Sequence, residues 1–119
     1  MHKFWGKVKK HNQRGVKLGF PTANVGLHKK IPEGIYISNT KIAGKMYQSL
    51  TFVGIAKTFK EKKFQAETYI LDFSQNIYGK WISIKLLKKI RANQKFESVD
   101  DLVKQMKKDE QDARDYFTP

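Results

Sequence analysis

The stretch Phe64-Gln65-Ala66-Glu67-Thr68-Tyr69-Ile70-Leu71-Asp72-Phe73 is the clearest indication of a β fold. Five of its ten residues are aromatic or β-branched, and such residues favour extended strands. Successive side chains of a strand point to opposite faces, so Glu67 lies on a largely apolar face with Tyr69, Leu71 and Phe73. We therefore predict a strand over residues 64–73 that carries one carboxylate among apolar side chains.

Further short strands are predicted on both sides of this one, at residues 4–9, 35–38, 47–53 and 81–87. Turn residues separate them at Ala43-Gly44 and at residues 76–80. The last strand places Ile82, Ile84 and Leu86 on one face. Residues 10–33 are rich in Lys, Gly, Asn and His, and we expect a long irregular excursion there.

A helix is predicted at the C-terminus, over about residues 98–117. Ser98 and Asp101 have the spacing of a capping box, with Asp in the place of Glu. An apolar stripe at helical spacing follows, made of Val99, Leu102, Val103 and Met106 and then of Ala113, Tyr116 and Phe117. The charged step Asp109-Glu110 interrupts the stripe, so we expect one bent helix or two short ones.

Several short strands followed by one helix indicate a mainly β fold, a small closed or nearly closed barrel with the helix packed on it. The chain has 119 residues, which is a common size for one domain. We expect a single domain over residues 1–119, with the barrel at about residues 4–90. It contains no cysteine, which excludes disulfides and thiolate metal sites. No signal peptide or membrane-spanning run is recognisable, and we expect a cytoplasmic protein.

The charge is strongly positive and unevenly distributed. The formal net charge is +13, and seven of the eleven acidic residues follow residue 96. Such a field raises the local concentration of nucleotides, phosphates or nucleic acid. A lysine-rich solvated surface is the simpler explanation of charge alone.

Three places could carry chemistry. The first is Leu18-Gly19-Phe20-Pro21-Thr22-Ala23-Asn24, a rigid turn that presents Thr22 and Asn24 on one side. The side-chain oxygens of these two residues are suitable ligands for Mg²⁺. The alternative is a turn in which both side chains hydrogen-bond to their own backbone. Glu67 is either a buried general base or a solvated carboxylate at the rim. The basic residues 7–17, which end in Arg14-Gly15-Val16-Lys17, could cradle phosphates or form a solvated loop.

Together these segments resemble the riboflavin kinase family in its ATP-using form, over nearly the whole chain. The most specific match is Gly19-Phe20-Pro21-Thr22-Ala23-Asn24, which is similar to the family's signature turn. Pro32-Glu33-Gly34-Ile35-Tyr36, the Glu67 strand with Tyr78-Gly79, and Lys89-Ile90-Arg91 with Lys95-Phe96-Glu97-Ser98 follow in the family's order. Glycines that are usual before the signature turn are replaced here by His11 and Gln13.

The resemblance implies a six-stranded antiparallel Greek-key barrel with a C-terminal helix. It also implies transfer of the γ-phosphate of ATP to riboflavin, giving FMN and ADP, with Glu67 as the catalytic base. Mg²⁺, with Mn²⁺ or Zn²⁺ as alternatives, is implied at Thr22 and Asn24. The implied nucleotide-binding residues are Arg14, Gly15, Lys17, Gly19, Thr22, Asn24 and Tyr78. The implied flavin-binding residues are Arg91, Phe96, Glu97 and Val99.

Two other functions remain open at this stage. A small basic barrel could bind RNA or single-stranded DNA through exposed aromatics such as Trp5 and Trp81. The basic residues are not interleaved with aromatics in a recognisable RNA-binding motif, so we expect no nucleic-acid partner. A non-catalytic relative that binds flavin or nucleotide is the second alternative, suggested by the replaced glycines. We expect a monomer, without a fused adenylyltransferase domain, that makes FMN and does not continue to FAD.

Overall fold

The computed structural model describes residues 2–9, 22–57 and 62–119, and for residues 56, 57, 62 and 63 it describes the backbone only. In this part of the chain six strands precede one helix. The elements are β1 (Lys3–Lys7), β2 (Ala23–Gly26), β3 (Gly34–Ile42), β4 (Lys45–Lys57), β5 (Lys62–Ile70), β6 (Trp81–Arg91) and α1 (Val99–Phe117).

All strand pairs are antiparallel, and the strand order is β1-β6-β3-β4-β5-β2. Strands β3, β4 and β5 are joined in sequence, and β6 returns to lie beside β3, which is the Greek-key arrangement. The sheet curls until its two edge strands meet. The predicted six-stranded Greek-key barrel with a C-terminal helix is therefore confirmed.

The two edges of the sheet meet at two points, one at Lys9, just after β1, and one at Gly6, within β1. The backbone N–H of Lys9 donates to the carbonyl oxygen of Asn24 over 2.8 Å. Gly6 packs against Val25 so closely that a methyl group at position 6 would overlap Val25 Cγ1. Closure of the barrel therefore depends on a residue without a side chain at position 6.

Several strand predictions are confirmed, and the strands are mostly longer than expected. The Ala43-Gly44 turn joins β3 to β4 with positive φ at both residues, 49° and 83°. Such a two-residue turn matches the right-handed twist of the strands that it connects. On β6, Ile82, Ile84 and Leu86 all point into the barrel.

Two predictions along the chain are wrong. Of the irregular excursion predicted over residues 10–33, residues 10–21 lie outside the described part of the chain, and the remainder contains β2. This strand gains its character from pairing with β5 and Lys9 rather than from its own four-residue pattern. The strand predicted over residues 64–73 ends at Ile70, because Asp72 adopts a left-handed conformation with φ of 56°.

The apolar side chains form two clusters on opposite sides of the sheet. One fills the barrel and includes Phe4, Val25, Val53 and Ile84. The other lies outside the barrel, where α1 packs through Ala113 and Phe117 on residues of β3, β4 and β6. The helix thus covers part of the outer surface. No helix in the described part of the chain is long and apolar enough to cross a membrane.

A chain of hydroxyl groups also runs through the barrel interior. Adjacent oxygens are 2.7 to 3.0 Å apart, in the order Thr40, Ser49, Ser38, Thr51 and Thr68. All five residues are fully buried. Each hydroxyl can donate one hydrogen bond and accept others, so the chain satisfies polar groups that would otherwise be costly to bury.

We predict that Gly6→Ala lowers the free energy of unfolding by about 1–3 kcal/mol, because the added methyl overpacks against Val25 at the closing edge. Denaturant unfolding measures the change. Gly26→Ala is the matched control, since its methyl would meet only the flexible end of Lys9.

The added methyl and the valine compete for one space. The double variant Gly6→Ala/Val25→Ala should therefore lose less stability than the two single losses added together. Strict additivity would show that the two residues are not in contact.

Candidate active site

Asn24 and Glu67 are direct partners in the pairing of β2 with β5. Their strand neighbours Ala23, Val25 and Ala66 point into the barrel, so both side chains lie on the outer face of the sheet. Directly opposed residues on one face have Cβ atoms about 4.5–5.5 Å apart. Asn24 is buried and Glu67 is half-buried. An amide and a carboxylate are thus held side by side by the backbone.

Gln65 connects these two side chains. Its Nε2 donates to Glu67 Oε1 over 3.3 Å and to Asn24 Oδ1 over 3.5 Å. One amide group carries two N–H donors, so it can serve both oxygens at once. Sequence reasoning missed Gln65, although its position two residues before Glu67 placed it on the same strand face.

The structure corrects the expected setting of Asn24. A surface turn was predicted to present Thr22 and Asn24, but Asn24 is the second residue of β2 and only 3% exposed. Its backbone is paired on both sides, with Lys9 and with β5. Thr22 lies just before the strand and is half-buried.

Thr22 and Tyr78 line one cleft of about 270 Å³, and fully buried Thr68 forms part of its wall. Because Thr68 is the strand partner of Ala23, the cleft lies one residue pair along from Asn24 and Glu67. The far wall is the segment of residues 73–78. Its shape is fixed locally, since the Tyr78 N–H donates to Asn76 Oδ1 over 3.0 Å. The cleft and the amide–carboxylate pair are therefore adjacent along β2 and β5, but Ala23 and Thr68 face the barrel interior whereas Asn24 and Glu67 face outward.

Four predicted nucleotide-binding residues lie outside the described part of the chain: Arg14, Gly15, Lys17 and Gly19. The same holds for His11 and Gln13, which replace the family's usual glycines. Their contacts with phosphate remain predictions.

The predicted flavin-binding residues fall in two settings. Phe96 and Glu97 line an open groove of about 410 Å³ together with Asp101, Lys104 and other residues at the start of α1. The Arg91 guanidinium lies 5.9 Å from the centre of the Phe96 ring. Val99 is the first residue of the helix and is half exposed. Arg91 and Phe96 are thus brought together at one edge of the groove.

Arg91 is also bound to a buried carboxylate that the sequence did not reveal. Its Nε and Nη2 donate to the two oxygens of Asp109 over 2.9 and 2.7 Å. Asp109 is 1% exposed and accepts a further hydrogen bond from Gln105 over 3.0 Å. The fixed fork of an arginine matches a carboxylate in this way.

This pair corrects the expected break in the helix. The helix runs without interruption from Val99 to Phe117, and Ser98 caps its start by accepting from the Asp101 N–H. The charged step does not bend it because Asp109 faces the barrel and is neutralised by Arg91. The capping prediction is confirmed.

Two further contacts tie the helix to the end of β5, close to Glu67. Tyr69 donates to Glu110 over 2.7 Å, and burial, followed by this hydrogen bond, raises the pKa of Tyr69 to about 12. Nη1 and Nη2 of Arg114 donate to the two oxygens of Asp72 over 3.1 and 2.9 Å, and these hydrogen bonds lower the pKa of that carboxyl. The C-terminal end of the strand that carries Glu67 is therefore anchored to the helix.

The donors available for a metal are few. Across residues 2–9, 22–57 and 62–119 there is no group of three or more His, Cys, Asp and Glu that could hold a metal ion. A cation held by only Thr22 and Asn24 from the protein would take its remaining oxygens from water or from a bound phosphate. This requirement fits Mg²⁺, which usually keeps several waters and binds phosphate oxygens.

The fold and the site define a small Greek-key barrel domain with an amide–carboxylate pair beside a cleft. The family model for flavokinase, or riboflavin kinase, matches residues 1–117, and the chain belongs to the riboflavin kinase family.

Similar proteins agree with this assignment. The chain is 37% identical over 113 residues to a bifunctional riboflavin kinase/FMN adenylyltransferase of Bacillus subtilis and 40% identical over 115 residues to the trifunctional protein RibF/MnmA of Mycoplasmoides gallisepticum. The matches cover 90% and 94% of this chain but only 36% and 18% of those relatives. This chain thus corresponds to a minor part of each.

Two solved structures have a similar fold, and one of them is named a riboflavin kinase. The crystal structure of riboflavin kinase from Trypanosoma brucei superposes with a TM-score of 0.66 at 27% identity, covering 96% of this chain and 78% of that one. A Streptococcus pneumoniae structure named as a macrolide-efflux protein superposes with a TM-score of 0.85 at 37% identity, covering 94% of this chain and 38% of that one.

We predict that Asp109→Ala lowers the free energy of unfolding by about 3 kcal/mol, because it leaves the Arg91 guanidinium without its buried partner. Thermal and denaturant unfolding measure the change. Asp112→Ala is the matched control on the same helix. The Asp112–Lys108 pair is exposed, so its loss should lower the free energy of unfolding by less than about 0.5 kcal/mol. Equal losses in the two variants would contradict a structural role for the Arg91–Asp109 pair.

Proposed function

We propose that this site transfers the γ-phosphate of ATP to the 5′-hydroxyl of riboflavin, giving FMN and ADP. The observation that carries the proposal is the direct pairing of Asn24 with Glu67, in a chain of the riboflavin kinase family. The backbone of two paired strands fixes the distance between the two side chains. Phosphoryl transfer depends mainly on such positioning and on charge neutralisation.

Glu67 is the general base in this proposal. As the riboflavin hydroxyl oxygen bonds to the γ-phosphorus, its proton passes to the Glu67 carboxylate. The bond from the γ-phosphorus to the bridging oxygen breaks, and ADP leaves with the electron pair. Gln65 donates to one carboxylate oxygen of Glu67 and so helps to orient the group that receives the proton.

Thr22 and Asn24 are the proposed ligands of Mg²⁺, with Mn²⁺ or Zn²⁺ as alternatives. When bound, the metal would supply positive charge beside the phosphates. Neutral oxygen ligands favour Mg²⁺ over Zn²⁺, which prefers nitrogen and sulfur. The burial of Asn24 between β5 and Lys9 keeps its side chain oriented before any ligand arrives.

The substrates would approach from two directions. The cleft of Thr22 and Tyr78 would receive the nucleotide, with Arg14, Gly15, Lys17 and Gly19 contacting its phosphates. The groove of Phe96 and Glu97 would receive the flavin ring, with Val99 at its edge. Arg91 would act there by holding Phe96, since its guanidinium is already bound to Asp109.

The same proposal takes residues 1–119 as one domain that works as a monomer in the cytoplasm. Membership of the riboflavin kinase family does not favour a nucleic-acid-binding barrel in place of the enzyme. A non-catalytic relative is less consistent with the chain, because Thr22, Asn24 and Glu67 are all retained.

The direct test is incubation of the protein with riboflavin, Mg²⁺ and each nucleoside triphosphate in turn, with FMN measured by chromatography. We expect FMN with ATP. Absence of FMN with every triphosphate, from protein that is folded by circular dichroism, would overturn the proposal in favour of a non-catalytic relative.

For the base, we predict that Glu67→Gln lowers turnover by about 10²- to 10⁴-fold, the usual contribution of general-base catalysis. Riboflavin binding should be nearly unchanged, because the ring is held elsewhere. Glu33→Gln is the matched control, an exposed carboxylate before β3 that should retain activity. Turnover of Glu67→Gln within about threefold of the parent would assign the proton to another acceptor.

For the metal, we predict that Thr22→Ala and Asn24→Ala each raise the Mg²⁺ concentration needed for half-maximal activity. Asn24→Ala should also lower stability, since it removes a buried amide that accepts from Gln65. Asn39→Ala, on β3 and away from the site, is the control. If both site variants lose stability yet keep the parent's Mg²⁺ dependence, the two residues are structural and do not bind metal.

A further inference from the structure

One side of the barrel carries two exposed tryptophans among lysines. We call it the Trp–Lys face and define it by the outward side chains of four adjacent strands. These are Lys3, Trp5 and Lys7 of β1, Trp81, Ser83 and Lys85 of β6, Lys41 of β3 and Met46 of β4. Trp5 is 67% exposed and Trp81 is 65% exposed. Such exposure is high for the largest apolar side chain and calls for an explanation.

The helix does not account for this face. It packs on the other part of the outer surface, through a cluster that includes Ile37, Leu50 and Leu87. Along β3 the outward residues change from buried Ile35 and Ile37 to exposed Lys41. The Trp–Lys face therefore begins where the cover of the helix ends.

Strand register interleaves the aromatic and basic side chains. Trp5 lies opposite Ser83 and Lys7 lies opposite Trp81, so the two indoles are diagonal neighbours on one face. Lys3 and Lys85 form the next pair along, and Lys41 lies on the far side of Ser83. The sequence suggested no such interleaving, because it arises between strands rather than along one of them.

The charge of the face has one sign. No acidic residue occurs in residues 2–9, 39–48 or 78–91, which hold β1, β6, the connected ends of β3 and β4, and the turn before β6. The partner that fits must therefore be anionic. It must also offer flat groups to two separate indole rings.

We propose that the Trp–Lys face binds single-stranded nucleic acid. Unpaired bases stack on aromatic side chains, and lysines neutralise the phosphates between them. A duplex keeps its bases stacked internally and cannot supply them to the indoles. An acidic peptide has the charge but lacks a regular series of flat rings.

An anionic membrane fits the face less well. Trp5 lies at the centre of β1 and Trp81 is the first residue of β6, so both are paired strand residues, and lysines lie beside both. Insertion into a bilayer needs contiguous apolar surface that protrudes. Stacking needs only that each ring has an open face.

The proposed surface is separate from the active site. β1 adjoins β2 where the barrel closes, but Lys9 is the residue that pairs with Asn24, and Trp5 lies four residues earlier in the chain. Neither tryptophan pairs with β2 or β5, the strands that carry Asn24 and Glu67. This inference does not rest on the proposed kinase activity, and the two can fail independently.

The test is a binding titration of labelled single strands of about twelve nucleotides, as RNA and as DNA, beside the corresponding duplexes. We expect one or both single strands to bind more tightly than either duplex. If four lysines contact phosphates, the logarithm of the association constant should fall with the logarithm of salt concentration with a slope of about −3. Quenching of tryptophan fluorescence should accompany binding.

Variants locate the binding. Trp5→Ala and Trp81→Ala should each weaken single-strand binding by about 5- to 150-fold, the range for loss of one base stack. Tyr116→Ala is the control, an exposed aromatic on the acidic helix that should leave binding unchanged. Both tryptophan variants should keep the melting temperature and the FMN-forming activity of the parent, because these residues are exposed and neither lies on β2 or β5, which carry Asn24 and Glu67.

Several results would overturn the proposal. One is binding of duplexes as tight as that of single strands, and another is binding that both tryptophan variants retain. A third is no single-strand binding at low salt together with tryptophan-dependent binding to phosphatidylserine vesicles, which would assign the face to a membrane. A fourth is tryptophan-dependent dimerisation without nucleic-acid binding, which would assign it to a second copy of the chain.

Discussion

The pairing of β2 with its two neighbours both closes the barrel and positions the proposed site. The backbone carbonyl of Asn24 accepts from Lys9 and so helps to close the barrel, while the Asn24 side chain lies beside Glu67. One residue therefore takes part in closing the fold and in the proposed site. A barrel that opened at this edge would lose the support of Asn24 at the same time, so the proposed activity would depend on the stability of a strand of four residues.

The helix adds a second level of organisation. Its buried Asp109 holds Arg91 at the end of β6, and its residues Glu110 and Arg114 hold the end of β5. All three contacts come from the second half of the helix. Its first turn, by contrast, borders the open groove of Phe96 and Glu97. None of these three contacts thus involves the first turn of the helix, which lies nearest to the proposed flavin groove.

Local patterns in the sequence were enough to predict part of this arrangement. Alternation along one strand placed Glu67 on the outer face, and the Ala43-Gly44 turn and the Ser98 cap followed from turn and cap chemistry. Strand β2 could not be predicted in this way, because its character comes from partners 39 to 45 residues away on β5. The burial of Asp109 was missed for the same reason, since Arg91 lies eighteen residues before it. In each case a long-range pairing decided the outcome.

The interior chain of hydroxyls has a consequence for proton order. Five hydroxyl groups carry five hydrogens, but the links between them number four, from Thr40 to Thr68. One hydrogen is therefore left over for an acceptor outside the chain. Moving that surplus hydrogen from one end to the other requires every hydroxyl between them to rotate together. A new acceptor placed against Thr68, in the wall of the cleft, would set the rotational state of Thr40 on the opposite side of the interior.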